Sequence, residues 1–123
     1  MTHDDGPIAR LLPLKPQDYM ILFVLIDGEL HGYRMVKEIA ARSEGQIRLE
    51  AGNLYRSIRR MITQGLIEET DRRPAAEADD ERRRYYAITA FGRAVLGAET
   101  ARMRALVAAA EASGALPDAS DRK

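Results

Sequence analysis

The chain has 123 residues, 46% hydrophobic and 31% charged, with 19 basic side chains balanced by 19 acidic ones and no cysteine. That profile describes one soluble globular domain with room for an extra element, small enough for a partner subunit to matter, and it excludes a disordered chain or a polybasic coat for nucleic acid. Without cysteine there are neither disulfides nor thiolate metal sites, which fits a reducing cytoplasm.

The opening MTHDDGP is acidic where a signal peptide would be basic. The longest apolar run, residues 19–26, falls far short of the roughly 20 residues needed to cross a bilayer, so no membrane partner is expected. Residues 1–15 read as a partly ordered tail, in which Pro7 and Pro13 interrupt the apolar Ile8, Leu11, Leu12 and Leu14. Pro16 suits the first turn of a helix that continues to Ile26 and stops at Asp27-Gly28. Residues 20–26 are apolar on every side, so this helix must be surrounded and forms the core. A buried strand is the competing reading, and proline at the opening with glycine at the close favours helix.

The second helix opens near His31-Gly32-Tyr33 and runs to about Arg42, with Tyr33, Val36, Ile39 and Ala40 as its buried face and Ser43-Glu44-Gly45 as its stop. Residues 47–49 alternate briefly, as a very short strand or an extended linker would.

Residues 52–66, GNLYRSIRRMITQGL, organise the rest. Leu54, Ile58, Met61 and Ile62 fall at i, i+4, i+7 and i+8, which a helix gathers into one buried stripe. At about 100° per residue the same winding sends Gly52, Arg56, Arg59, Arg60 and Thr63 to the far side, with Tyr55 at the margin. There is no acid between Ala51 and Gly65. Docking in a major groove needs such a helix, because the apolar side anchors it while guanidinium groups reach phosphates and guanine edges. The plain alternative is an ordinary surface helix with solvated arginines, and the surroundings must decide.

After Gly65 the pattern shifts toward period 2, with residues 66–70 and 84–89 as two strands of a hairpin. The connection, residues 71–83, contains Pro74 and no large apolar side chain, and is long for a hairpin. Arg72 and Arg73 stand at one shoulder, Arg82, Arg83 and Arg84 at the other, with Glu77, Asp79, Asp80 and Glu81 between. Basic shoulders can touch phosphate; an acidic tip is repelled by it. Thr89 then suits the N-cap of a last helix over residues 90–112. Its stripe of Phe91, Val95, Ala98, Met103, Leu106, Val107 and Ala110 exceeds what the small domain can cover, so it is a dimer seam or a frayed tail. Residues 113–123 are a polar tail.

Three helices followed by a hairpin are the order of a winged helix-turn-helix domain, which makes the chain mainly α with a small β-hairpin wing. Four short signatures stand in that order: residues 26–35 (IDGELHGYRM), 52–55 (GNLY), 65–67 (GLI) and 85–93 (YYAITAFGR). Together they resemble the PadR family of bacterial transcriptional regulators over roughly residues 16–95. The resemblance implies a winged-helix domain at 16–89 and a dimerisation helix at 90–112, in a homodimeric repressor of double-stranded DNA bearing an inverted repeat. It implies that Gly52, Asn53, Tyr55 and Arg56 meet the DNA, Tyr55 at a phosphate or base edge. By the same resemblance Gly32 permits close approach of the second helix and Tyr33 packs under the recognition helix. His31 is a helix-start residue bonding locally or, alternatively, a phosphate contact. The chain departs from the family in carrying Arg56 where proline often follows the tyrosine, and in the acidity of its wing.

His3 and His31 are the only histidines, no HExxH spacing or glycine-rich phosphate loop occurs, and the acidic cluster lacks the glycine of a calcium loop. Catalysis, a metal and a cofactor are therefore not expected. Three functions remain: sequence-specific repression, a winged-helix module that binds protein instead of DNA, and a sensor with a small-molecule pocket between dimer helices. The acid-free arginines favour the first and the acidic wing tip the second. With no Trp and only Phe23 and Phe91 as phenylalanines, few flat surfaces are offered to a planar inducer.

Overall fold

A helix that is apolar all round has to become an axis for others, and the first helix does. In the computed structural model, which describes residues 6–71 and 84–117, helix α1 spans Pro16–Val24 and buries Met20, Ile21, Leu22 and Val24. Proline occupies its first turn, where the missing N–H costs nothing. The helix stops two residues before Ile26, because Leu25 and Ile26 turn back to hydrogen-bond the carbonyls of Leu22 and Phe23. Upstream, a short 3-10 turn at Ala9–Leu11 lays Ile8, Leu11, Leu12 and Leu14 against the core.

Strand β1, only Leu30–His31, leads directly into helix α2, Gly32–Arg42. Its buried side chains are Met35 and Ile39, whereas Tyr33, expected to be covered, is 62% exposed. The reason lies at Gly32: a Cβ there would collide with the Tyr55 hydroxyl, so the close approach is made by glycine and Tyr33, one residue on, is swung outward. Residues 47–49 form the extended linker, without a strand.

Helix α3 spans Ala51–Thr63 and buries Leu54, Ser57, Ile58 and Met61. Ile62, expected in that stripe, is 38% exposed, and Ser57 takes its place. Ser57 fits because its hydroxyl has polar partners below, accepting from the Gln17 amide at 3.0 Å. Strands β2, Ile67–Thr70, and β3, Tyr85–Ile88, then pair antiparallel, and β1 adds to the far edge of β3 to give the order β1-β3-β2. With strands on both edges and α4 packed against it, β3 is buried at all four positions instead of alternating.

Helix α4, Ala90–Ala112, is capped by Thr89, whose hydroxyl oxygen accepts from the Gly92 N–H at 2.9 Å. Gly92 is required by proximity: a Cβ would run into the Leu66 carbonyl oxygen. Only the first half of α4 packs on the domain, through Val95, Leu96 and the 1%-exposed Glu99. The Glu99 carboxylate accepts from the Leu14 N–H and from the Arg102 guanidinium, tying the N-terminal segment to α4. These bonds, the Arg102 one first, hold its pKa below the ordinary carboxylate value against the opposing effect of burial.

Candidate nucleic-acid interface

The outward face of α3 presents Gly52, Asn53, Tyr55, Arg56, Arg59 and Thr63 to solvent. The Arg56 guanidinium donates to the Asn53 side-chain oxygen, one turn earlier on the same helix. Such a pair pre-positions the guanidinium along the helix surface, with the rest of its donors open among the described residues. Arg59 makes no ion pair among the described residues and points into the space beside the wing.

Arg60 does not share that face. It donates twice to Asp18 of α1, at 2.8 and 3.1 Å, and the Asp18 side chain is 6% exposed. The bond to Asp18 raises the Arg60 pKa above its ordinary value, outweighing the desolvation that opposes it. The outward placement expected for Arg60 is thereby corrected: its long stem reaches back across the helix flank to an acid 42 residues away in sequence. With the neighbouring bond between Gln17 and Ser57, the pair anchors α3 to the first turn of α1 and sets its roll about its own axis.

His31 is 4% exposed, edge-on to Tyr85 at 5.3 Å, and its Nδ1 accepts from the Arg34 N–H at the start of α2. That is the local, helix-start role; a buried ring committed to a cap is poorly placed for a phosphate. Two outward groups that the sequence does not announce lie beside it. The Tyr33 ring is parallel to His31 at 6.4 Å, with the Lys37 ammonium 5.3 Å above it, so α2 presents an aromatic and a cation next to Tyr55. The signal is the i, i+4 spacing of Tyr33 and Lys37, hidden by the assignment of Tyr33 to the core.

Between α3 and the wing lies a cleft of about 490 Å³ lined by Tyr33, Tyr55, Ile58, Arg59, Ile62, Glu69, Arg84 and Tyr86, among others. Arg84 lies 3.8 Å from Glu69, with side chains 72% and 49% exposed. Burial first, then the Glu69 charge, raises the Tyr86 pKa above the ordinary phenol value, while Arg84 and Arg59 pull it down. The cleft therefore has mixed charge, which the sequence of α3 alone could not reveal. Arg83, the other wing-shoulder arginine expected at this interface, and the acidic loop tip lie outside the described residues.

The residues expected in the α4 seam divide into two groups. Val95 is fully buried in the core of its own chain, a correction to the single continuous stripe, while Phe91 packs partly against that core. Leu106 and Val107 are 56% and 54% exposed, with Met103 and Ala110 half-buried on the same distal half. Among the described residues, no group of three His, Asp or Glu is placed to hold a metal ion, and no helix is long and apolar enough to cross a membrane.

Two helices in tandem, the second exposing a cationic face, followed by a sheet hairpin against its end, define a winged helix-turn-helix protein. The chain belongs to the PadR-like family of transcriptional regulators, whose family model matches residues 21–98. Solved structures agree with the fold. A PadR family transcription regulator from hypervirulent Clostridium difficile R20291 superposes with a TM-score of 0.62 at 23% identity, over 76% of this chain and 93% of that one. A PadR family regulator from Eggerthella lenta gives 0.57 at 27% identity, over 77% and 80%. PadR of Bacillus subtilis, solved in complex with operator DNA, gives 0.56 at 20% identity, over 69% of this chain and 46% of that protein. No curated protein matches the sequence.

Proposed function

We propose that this chain is a homodimeric, sequence-specific DNA-binding regulator that represses transcription by occupying an inverted-repeat operator. The observation that carries the reading is the outward face of α3, where Asn53, Arg56 and Arg59 stand with Tyr55 and no acid of the helix neutralises them. In this reading α3 enters the major groove, Arg56 reads a base edge, and Arg59 and Tyr55 meet phosphates, with Gly52 letting the backbone approach and Thr63 at the far end. Tyr33 and Lys37 meet the backbone on the α2 side, and Arg84 meets it on the wing side. The presence of operator DNA in the Bacillus subtilis PadR structure supports the same use of the fold.

Dimerisation falls to the distal half of α4, through Met103, Leu106, Val107 and Ala110. An apolar strip projecting past its own domain needs a cover, and a two-fold partner places two recognition helices one DNA turn apart, roughly 34 Å. A small molecule that parts the subunits would relieve repression.

Selection of binding sites from random duplexes with the purified protein tests the reading: inverted repeats with half-sites one turn apart are expected. Truncation before Met103 is expected to abolish dimer sedimentation and weaken operator binding together, and a truncated protein that still sediments as a dimer places the interface elsewhere. Glu69 in the cleft is the observation that favours the second reading, a winged-helix module that binds protein; absence of any enriched sequence would put that reading first.

A further inference from the structure

Glu69 occupies an unexpected place for an acid. Its ladder partner is Tyr86, and two residues before it on the same face of β2 is Ile67, which is 1% exposed and paired with Ile88. That face of the wing thus runs from core to carboxylate; Glu68 projects from the opposite face, and both acids are exposed. Glu69 opens into the cleft that also holds Arg59 of α3, and its one ion pair among the described residues is the long, open contact with Arg84.

Resting on the DNA-binding reading above, we infer that Glu69 is a specificity-determining residue that penalises backbone phosphate in the cleft between α3 and the wing. A carboxylate accepts hydrogen bonds and donates none, so it can face an amino group of cytosine or adenine, or an arginine, but not a phosphate oxygen. Binding to unrelated DNA is almost wholly a matter of arginine and lysine against phosphates, in whatever register the duplex offers. There the Glu69 charge opposes entry into the cleft and holds Arg84 back. On an operator, base contacts from Arg56 fix one register, in which Arg59 and Arg84 reach outward to their phosphates while the backbone stays clear of the carboxylate, and only such sites are tolerated. Selectivity rises because the wrong complexes are destabilised more than the right one.

The experiment compares the full chain with Glu69→Gln and Glu69→Asp, measuring Kd on the selected operator and on an unrelated duplex of equal length across a salt series. For Glu69→Gln, affinity for the unrelated duplex should rise about 10-fold and for the operator no more than about 3-fold. The slope of log K against log salt on the unrelated duplex should steepen by about 0.9, the signature of one more neutralised phosphate. Glu69→Asp, which keeps the charge, should retain the wild-type ratio. A weaker Kd on both duplexes would show that Glu69 merely orients Arg59 and Arg84, and an unchanged ratio would also overturn the inference while leaving the DNA-binding reading intact. A wild-type protein without selective binding would overturn both.

Discussion

On one flank of α3, Arg60 is held by two bonds to Asp18, whose side chain is 6% exposed; on the other, Arg84 lies 3.8 Å from Glu69 and both remain open to water. The two pairs share a chemistry and differ in burial, and burial decides what each can do. A carboxylate removed from water cannot release its partner without being left desolvated, so the Asp18 pair behaves as a fixed joint between α1 and α3. An open pair at long separation contributes little to stability and exchanges its partners for ions or phosphate. Helix α3 is therefore anchored on one side and adjustable on the other. Its arginines are not equivalent: Arg60 holds the helix, while Arg56 and Arg59 are left to touch something else.

The largest effect should come from the fixed side. Asp18→Ala strands a partly covered guanidinium, and Arg60→Ala strands a buried carboxylate. Breaking a fully buried pair costs about 3–5 kcal/mol, and because the Arg60 side chain is 39% exposed a loss of about 2 kcal/mol is expected for either variant in denaturant unfolding. Glu69→Ala should change the same measurement by less than about 0.5 kcal/mol. Similar losses from both flanks would remove the distinction.

Next in size is Arg56, which neither acid touches. Arg56→Ala should cost about 1–3 kcal/mol on the preferred operator and less on unrelated DNA if the side chain reads a base. An equal loss on every duplex would make it a phosphate contact. Because Asn53 is the neighbour that holds Arg56, Asn53→Ala should reproduce part of the loss without altering stability.

How far these roles were legible in the sequence depends on how far apart the partners stand. The order of helices and hairpin was readable because its signals are local: Pro16 at a helix start, Thr89 at another, glycines at the stops, and apolar spacing between. Strand β1 was not, since two residues carry no period and only their pairing with Tyr85 and Tyr86 makes them a strand. The outward face of α3 was readable for Arg56 and Arg59, where winding alone decides. It failed for Arg60, whose direction is set by an acid on another helix, and the acid-free stretch in sequence proved to have acids beside it in space. Tyr33 and Val95 were misplaced for a related reason: a periodic stripe tells which residues share a side, while the Tyr55 ring over Gly32 and the packing of α1 and β3 against α4 decide which side is covered and how far along.

A smaller effect separates the two adjacent arginines on α3. Arg59→Ala should lower the salt slope of DNA binding by about 0.9, the equivalent of one phosphate that is no longer neutralised, with stability within about 0.5 kcal/mol of wild type. Arg60→Ala should do the reverse, lowering stability while the slope on the fraction that remains folded is unchanged. If Arg60→Ala also flattened the salt slope, the Asp18 joint would have to open on DNA and its fixed character would be refuted.

The smallest effect extends the same argument to a third pair, Glu99 with Arg102, where again the acid is buried and the arginine is partly open. The folded pKa of Glu99 lies below its ordinary value of about 4.5, chiefly through the Arg102 bond and also through the Leu14 N–H. A depressed folded value means that the unfolded chain takes up the proton first. The contribution of Glu99 is then complete above about pH 4.5 and is lost as pH falls through the lower folded value. Glu99→Gln removes that dependence, so its melting temperature should fall less steeply with acidification than that of the wild type, while lying below it near neutrality. If Glu99→Gln left the acid limb as steep as that of the wild type, the buried carboxylate would not be what ties the N-terminal segment to α4.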